Sequence, residues 1–259
     1  MIEKMEKIVK DTGKLIVEKS KIGSRGQWQG KQFKAKAEQI AHENLSRSLY
    51  QLEGIPIISE EDTFSLVDKR PNRYWLIDPI DGTASYVQGY SGFVTQVALM
   101  EENKPVMAAI YAPKLGSLYS AVKGKGAYHN EARILPLREG TINTLIDNYP
   151  NPSGLAKMVY DHFLCSNYIE CGSISLKICK VADGTADLFV KNVVVRDWDI
   201  AAPQLILEEA GGFLTDMQGQ SFLYNNHYSN NGLVAAKLSE HCKSVTQWYR
   251  SLDGKEKEK

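Results

Sequence analysis

Apolar side chains recur at the spacing of an α-helix in the N-terminal part of the chain. The first set, separated by lysine and glutamate, is Ile2, Met5, Ile8, Val9, Leu15 and Ile16. It predicts an amphipathic helix at the N-terminus. The second set, Ile40, Leu45, Leu49 and Leu52, predicts a helix over residues 35–52 that Gly54 would end. Between them, the polar, glycine-containing segment 23–30 predicts a flexible loop.

Runs of branched and aromatic residues then predict strands. In the first half they are residues 55–58, 74–78, 93–101, 106–111, 118–122 and 126–129. The strand at 74–78 should end at Pro79, because proline has no N–H for a sheet ladder and its φ is fixed. The polar residues 102–105 predict the turn of a hairpin between the third and fourth strands.

After residue 133, strand-like runs alternate with helical ones. The strands are residues 145–146, 168–170, 186–190 and 233–236, and the helices are residues 154–163, 173–183, 201–210 and 239–252. The change in pattern predicts two packed halves within one compact unit. Residues 1–133 would be β-rich behind two leading helices, and residues 134–259 would alternate α and β. The predicted class is therefore α/β, as layered helices and sheets (α+β layered).

Composition narrows the functional classes. A chain of 259 residues with 43% hydrophobic and 24% charged residues is typical of a globular protein with a sizeable core. The 31 basic residues balance the 31 acidic ones, so nothing indicates a surface for a nucleic-acid polymer or a membrane. No segment is typical of a signal peptide or a membrane span. The four cysteines lack a Cys-x-x-Cys pair, which favours reduced thiols over a zinc site. We therefore expect a cytoplasmic protein.

The segment WLIDPIDGT, residues 75–83, places two carboxylates on a turn at the end of a predicted strand. Pro79 and Gly82 make that turn rigid, so Asp78 and Asp81 would repel each other across a short distance. A hard divalent cation makes such a pair tolerable. Taken alone, an Asp-Pro-x-Asp-Gly sequence is also a common turn, and the choice depends on the rest of the chain.

Other acids lie at the boundaries of predicted elements. Glu60 and Glu61 follow one strand, and Asp197 and Asp199 precede a helix expected to begin near Ile200. Each has a plain structural alternative, a solvated loop for the glutamates and a helix N-cap for Asp199. Taken together, carboxylates at element ends, with no histidine or cysteine among them, match the ligands that Mg²⁺ prefers.

Gly82 and Thr83 can open a helix directly after these acids. Free backbone N–H groups at a helix start bind a phosphate oxygen, and glycine lets the oxygen come close. Metal-binding acids beside such a helix start indicate a phosphate group between them. The structural alternative is that Thr83 and Ser85 only cap the helix.

Four motifs occur in the order of a known family. They are Glu60-Glu61, Asp78-Pro79-Ile80-Asp81-Gly82-Thr83, Trp198-Asp199 with Ala201-Ala202, and Glu209-Ala210-Gly211-Gly212. With them the chain resembles, over nearly its whole length, the inositol monophosphatase family of Mg²⁺-dependent, lithium-sensitive phosphatases. The resemblance implies an inositol monophosphatase/fructose-1,6-bisphosphatase-like sandwich of alternating helix and sheet layers. It also implies a small phosphorylated metabolite as substrate, and it is compatible with a homodimer.

The resemblance implies two or three Mg²⁺ ions. Glu60, Asp78 and the carbonyl of Ile80 would hold the first ion. Asp78, Asp81 and Asp199 would hold the second, and Glu60 would take part in a third, weaker site. Two such ions can clamp the attacking and leaving oxygens of an in-line phosphoryl transfer.

The resemblance also assigns phosphate binding and catalysis. Gly82 and Thr83 would bind the phosphate, and Thr83 would orient or deprotonate the attacking water with help from a carboxylate. The family aspartate that partners the threonine falls in the stretch KAKAE, residues 34–38, where Glu38 takes its place. We expect Glu38 to have the same role beside Glu60, although a glutamate within a helix is usually on the surface.

The substrate is less tightly specified. Residues 172–177, GSISLK, resemble a stretch of the 3′(2′),5′-bisphosphate nucleotidase branch. There Ser173 would contact substrate and Lys177 would face a second phosphate; the alternative is that Lys177 is a solvated helix residue. Residues 191–195 lack the carboxylate by which inositol-type members contact ring hydroxyls. A nucleotidase is favoured, with an inositol monophosphatase, a sugar bisphosphatase or a non-catalytic phosphate- and metal-binding protein as alternatives.

Overall fold

Two β-sheets form the frame of the molecule, whose computed structural model describes residues 1–23, 31–136, 140–225 and 227–252. Nearly all of the loop predicted over residues 23–30 lies outside these ranges. The helices of the described part are α1 (Ile2–Gly23), α2 (Lys31–Leu52), α3 (Thr83–Gln88), α4 (Gly154–His162), α5 (Ile174–Ala182), α6 (Asp197–Glu209) and α7 (Ser239–Ser251). The strands are β1 (Ile57–Ser59), β2 (Arg73–Asp81), β3 (Val94–Glu101), β4 (Lys104–Ala112), β5 (Ser117–Val122), β6 (Gly126–His129), β7 (Ala132–Arg133), β8 (Thr144–Asp147), β9 (Asn167–Glu170), β10 (Leu188–Arg196), β11 (Phe213–Thr215) and β12 (Ser229–Ala236).

The first sheet contains β1 to β7 in sequence order, and the second has the order β11-β12-β10-β8-β9. In the first sheet, β1 and β2 are parallel and the other neighbours are antiparallel. In the second, β8 is parallel to β9 and β10, while β12 is antiparallel to β10 and β11. The parallel pair β1 and β2 positions the candidate site, because parallel strands end at the same edge of a sheet.

Helices and sheets alternate in five layers. α1 and α2 pack on one face of the first sheet through Met5, Val9, Leu45 and Leu49, which are fully buried. α5 and α6 lie between the two sheets, and α4 and α7 cover the other face of the second sheet. The layered α/β fold predicted from the sequence is confirmed. No helix within the described ranges is long and apolar enough to cross a membrane.

The prediction that the strand before the acid motif ends at Pro79 is wrong. β2 continues to Asp81, and its register with β3 shifts between Asp78 and Asp81. The shift is a bulge with one extra residue, which takes the proline out of the regular ladder. In a regular strand, residues three apart face opposite sides of the sheet. The bulge therefore lets Asp78 and Asp81 face the same side.

Other boundaries also differ from the sequence predictions. α6 begins at Asp197 rather than near Ile200, so Asp199 lies within its first turn. β10 extends to Arg196, well beyond residue 190, because β12 pairs with it across a further bulge. α2 begins at Lys31. β7 and β11 are new, since strands of two and three residues carry too little pattern to be predicted.

Candidate metal centre

The carboxyl ends of β1 and β2 bring three acids to one edge of the first sheet. Glu60 follows β1, and its backbone N–H donates to the carbonyl of Ile77 in β2 over 3.4 Å. Asp78 and Asp81 lie on either side of the β2 bulge. α6, which packs between the sheets, supplies a fourth acid, Asp199, from the other half of the chain.

Three of these carboxylates meet. Asp78, Asp81 and Asp199 each offer one oxygen, and these atoms lie within 4.8 Å of one another. Asp78 and Asp81 are 1% and 8% exposed, and Asp199 is half-buried. Burial first, and neighbouring carboxylates second, raise the pKa of Asp78 and of Asp199 well above the usual range. Hard oxygen ligands gathered at this density fit a divalent cation such as Mg²⁺, whose charge would relieve the repulsion.

Hydrogen bonds hold Asp78 from its own strand and from β3. The backbone N–H of Ile80 donates to Oδ1 over 3.0 Å, and Nε2 of Gln96 donates to Oδ2 over 3.2 Å. Gln96 is 1% exposed and lies in the otherwise largely apolar run 93–101. Gln96 was not among the predicted site residues, although a lone amide in such a run is a usable signal.

The starts of two helices hold Asp81 and Asp199. Oδ2 of Asp81 accepts hydrogen bonds from Oγ of Ser173 at 2.6 Å and from the backbone N–H of Ser175 at 2.8 Å. Oδ2 of Asp199 accepts the backbone N–H of Arg196 at 2.7 Å. The hydroxyl of Ser175 donates to the carbonyl of Asp199 over 2.8 Å, which joins the two helix starts. Ser175 was also missed, because its role depends on contacts distant in sequence.

Three glutamates lie around the centre. Glu60 and Glu61 keep exposed surface, yet the protein around their carboxyl groups displaces water and raises the pKa of both, that of Glu61 to about 7. The next cause is Asp81 for Glu60 and Glu38 for Glu61. Glu38 is 7% exposed and pairs with Lys34 at 3.4 Å. The alternative of a plain surface glutamate is therefore wrong for Glu38.

Gly82 and Thr83 lie directly after β2. Gly82 has a φ of 86°, and a Cβ there would lie 2.6 Å from the carbonyl oxygen of Gly92, so only glycine fits. Thr83 is half-buried, and its hydroxyl donates to the carbonyl of Ile80 over 3.2 Å. That carbonyl, an expected metal ligand, keeps a second lone pair. Within the described ranges, Thr83 and Glu38 share no hydrogen bond.

Lys177 is buried, so the alternative of a solvated helix residue is wrong. It is 0% exposed, and burial lowers its pKa to about 8. Its Nζ donates to Oδ1 of Asn148 and lies 3.7 Å from Oδ1 of Asp147. Nζ of Lys191 donates to both oxygens of Asp147 at 2.9 and 3.0 Å. We call Asp147, Asn148, Lys177 and Lys191 the Lys177 cluster.

A cleft of about 810 Å³ lies beside the start of α3, and its lining includes Gly82, Asn148 and Tyr149. Asn148 is the member of the Lys177 cluster that reaches this cleft. The acids of the centre are not among its described lining residues, so the cleft adjoins the centre without containing it. Ser173, the other expected substrate contact, is 0% exposed. Its hydroxyl is bonded to Asp81 and accepts a helix N–H at 2.9 Å.

Comparisons with known proteins agree on one family. A model of the inositol monophosphatase family matches residues 2–249. The 3′(2′),5′-bisphosphate nucleotidase CysQ of Aggregatibacter actinomycetemcomitans is 35% identical over 183 residues, 68% of this chain and 68% of that protein. Inositol monophosphatase 3 of Solanum lycopersicum is 31% identical over 179 residues, 64% of this chain and 66% of that protein. Inositol monophosphatase II from Staphylococcus aureus MSSA476 has the same fold, with a TM-score of 0.81 at 18% identity over 96% of this chain and 95% of that chain.

Proposed function

The chain belongs to the inositol monophosphatase family of phosphoric monoester hydrolases, and on this premise we propose that it is a Mg²⁺-dependent phosphatase of a small metabolite. The observation that carries the proposal is the meeting of Asp78, Asp81 and Asp199, whose ligand oxygens lie within 4.8 Å of one another. Oxygen ligands without nitrogen or sulfur are the set that Mg²⁺ prefers.

We assign the ions as the family resemblance implies. Glu60, Asp78 and the Ile80 carbonyl would hold one Mg²⁺, and Asp78, Asp81 and Asp199 the second, with a third, weaker site at Glu60. When bound, Mg²⁺ supplies positive charge to the phosphoryl group and activates water. The β2 bulge supports this assignment, since it turns Asp78 and Asp81 to the same side.

The phosphate would lie on the backbone N–H groups of Gly82 and Thr83, where no side chain can intrude at Gly82. Glu38 and Glu60, with the Thr83 hydroxyl, would orient the attacking water and take its proton. The water oxygen attacks phosphorus, the ester P–O bond breaks, and the alcohol leaves with a proton. The products are inorganic phosphate and the alcohol.

We propose a 3′(2′),5′-bisphosphate nucleotide as the substrate. The CysQ relative supports this choice, and so does the Lys177 cluster, in which two lysines face one aspartate beside the start of α5. Lys177 would reach a second phosphate once Asn148 turns away from its Nζ. An inositol monophosphate is the second candidate, favoured by the Solanum relative, and a sugar bisphosphate is the third.

A substrate panel in Mg²⁺ tests the proposal. It contains 3′-phosphoadenosine 5′-phosphate, inositol monophosphates, fructose 1,6-bisphosphate and histidinol phosphate, each with and without Li⁺, and Asp78→Asn is the control enzyme. We expect the highest kcat/KM for the nucleotide and inhibition by Li⁺. Phosphate release that continues in EDTA would overturn the metal assignment. Mg²⁺ binding by calorimetry without any phosphate release would leave the non-catalytic binding protein as the better description.

A further inference from the structure

A buried ion pair joins the two chain segments that supply acids to the metal centre. Arg70 lies in the loop after Glu60, and Asp197 opens α6, two residues before Asp199. Nη2 of Arg70 donates to Oδ2 of Asp197 over 2.5 Å. Their side chains are 1% and 0% exposed, so water and salt hardly screen the pair.

Aromatic and amide groups enclose this pair. The guanidinium carbon of Arg70 lies 4.2 Å from the centre of the Tyr228 ring, and Nη1 donates to the Tyr74 hydroxyl over 3.3 Å. Oδ1 of Asp197 accepts a hydrogen bond from Asn230 at 2.8 Å. The backbone N–H of Asp197 donates to the carbonyl of Tyr228 over 3.0 Å. We call Arg70, Tyr74, Asp197, Tyr228 and Asn230 the Arg70 clasp.

The clasp also fixes the loop that carries Arg70. The Tyr228 hydroxyl accepts the backbone N–H of Val67 at 3.2 Å and donates to its carbonyl at 3.1 Å. Arg70 lies on the ring of the same tyrosine. The loop between β1 and β2 is therefore held against the start of α6 from two sides.

Stability alone is a poor reason for such a pair. Two charges lose about as much from desolvation as they gain from attraction, and a well-packed apolar pair often does as well. Such a pair is better explained by the geometry it imposes. A planar guanidinium can bond a carboxylate and stack on an aromatic ring together in only a few arrangements. A metal centre, in turn, needs its ligands held to within about 0.5 Å.

We propose that the Arg70–Asp197 pair positions Asp199 against the acids of β1 and β2, and thereby sets the metal affinity of the centre. Neither residue is placed among the ligands. Asp197 acts through the backbone: it fixes the first turn of α6, where the N–H of Arg196 holds Oδ2 of Asp199. The inference rests on the proposed function in taking these acids as metal ligands.

Calorimetric titration of the metal-free protein with Mg²⁺ tests the clasp. Arg70→Lys keeps the positive charge but loses the planar guanidinium. Asp197→Asn keeps the side-chain shape and the Asn230 contact but loses the negative charge. Residues that orient metal ligands typically contribute about 10- to 100-fold in affinity. We expect the Mg²⁺ Kd of both variants to rise by about 10-fold or more.

A double variant separates positioning from stability. Arg70→Met with Asp197→Leu removes both charges, so no unpaired ion is left buried and the melting temperature should recover towards wild type. The Mg²⁺ Kd should stay raised. Lys237→Met is the matched control, because it breaks the remote Lys237–Asp187 pair, 2.7 Å long. It should lower the melting temperature and leave the Mg²⁺ Kd unchanged.

The outcomes distinguish the clasp from the centre itself. If Mg²⁺ affinity recovers together with stability in the double variant, or falls equally in Lys237→Met, the positioning role is wrong while the metal centre stands. If the wild-type protein binds no Mg²⁺, or if Asp78→Asn binds it equally well, the proposed metal centre is wrong and the clasp proposal with it.

Discussion

Two groups of largely buried charges lie near each other in this protein. One gathers charges of the same sign, and the other pairs charges of opposite sign. In the metal centre, Asp78, Asp81 and Asp199 bring three carboxylates together. In the Lys177 cluster, each charged group has an opposite charge close by: Nζ of Lys191 is 2.9 Å and Nζ of Lys177 is 3.7 Å from Oδ1 of Asp147. The first group would be stabilised by a bound cation, whereas the second pairs its own charges, with two lysines to one aspartate.

The pKa values follow this difference. Burial and like charges act in the same direction on Asp78 and raise its pKa well above the usual range. For Lys177, burial lowers the pKa while the attraction of Asp147 opposes it, and the value falls only to about 8. Removing a charge should therefore have opposite effects on stability in the two groups.

Asp78→Asn should have the largest effect. Turnover in Mg²⁺ should fall at least about 10³-fold, because a ligand that supplies transition-state charge stabilisation of several kcal/mol is lost. The same variant should raise the melting temperature of the metal-free protein by about 2–4 °C, since one of three like charges is gone. Steady-state kinetics and calorimetry in EDTA measure the two effects. Near wild-type turnover in Mg²⁺ would refute the metal centre.

Asp147→Asn should act in the opposite direction on stability. It leaves the buried Lys177 and the half-buried Lys191 without their carboxylate, which should destabilise the fold by about 3 kcal/mol. Urea unfolding measures the loss. Asp161→Asn is the control, because Asp161 pairs with Lys157 on the surface, where each side chain is more than half exposed. It should change stability by less than about 0.5 kcal/mol. An equally stable Asp147→Asn protein would mean that Asp147 does not stabilise the two lysines.

Glu38→Gln separates catalysis from metal binding at the centre. If Glu38 takes up a proton from water, turnover should fall about 10²-fold. The Mg²⁺ Kd should change by less than about twofold, because Glu38 is not assigned as a ligand. Glu43→Gln, an exposed position five residues further along α2, is the control. Kinetics and calorimetry on the same preparations give both numbers, and unchanged turnover would exclude Glu38 from the mechanism.

The smallest expected effect is the pH dependence of the metal-free protein. Because the folded state raises the pKa of Asp78 and Asp199, it binds more protons than the unfolded chain above about pH 4. The contribution of these groups to stability should therefore decrease as pH rises towards neutral. Melting temperatures at pH 5 and pH 8 in EDTA should differ by a few degrees more than for Asp78→Asn. Saturating Mg²⁺ should remove that excess, and an excess that persists in Mg²⁺ would contradict the assignment.

Local pattern predicted most of the fold and the family. Helical and alternating spacings lie within short windows, and the motif at residues 78–83 is contiguous, so neither needs tertiary information. The family, the layered fold and the hydrolase class are confirmed. The roles of individual site residues, the homodimer and the cytoplasmic location stay predictions.

Three features of the site lay beyond the sequence. Asp78 and Asp81 face the same side of the sheet only because of the register between β2 and β3. The sequence of a single strand does not encode that register. The partner of Arg70 is 127 residues away. Lys177 is buried because α5 packs between two sheets, and the sequence of a single helix does not show which elements will cover its lysines.

The contact of Gly82 with Gly92 limits how this protein can diverge. The close approach continues to Gly172, because a Cβ on Gly92 would lie 2.7 Å from the Gly172 backbone nitrogen. These contacts are between backbone atoms. A side chain placed at either glycine would therefore meet backbone, which cannot move aside as a flexible side chain can. A descendant with a new substrate would have to acquire its selectivity through surrounding residues such as 148–150 and 191–195. The three glycines would stay unchanged during evolution, while the residues around them change and alter the substrate preference.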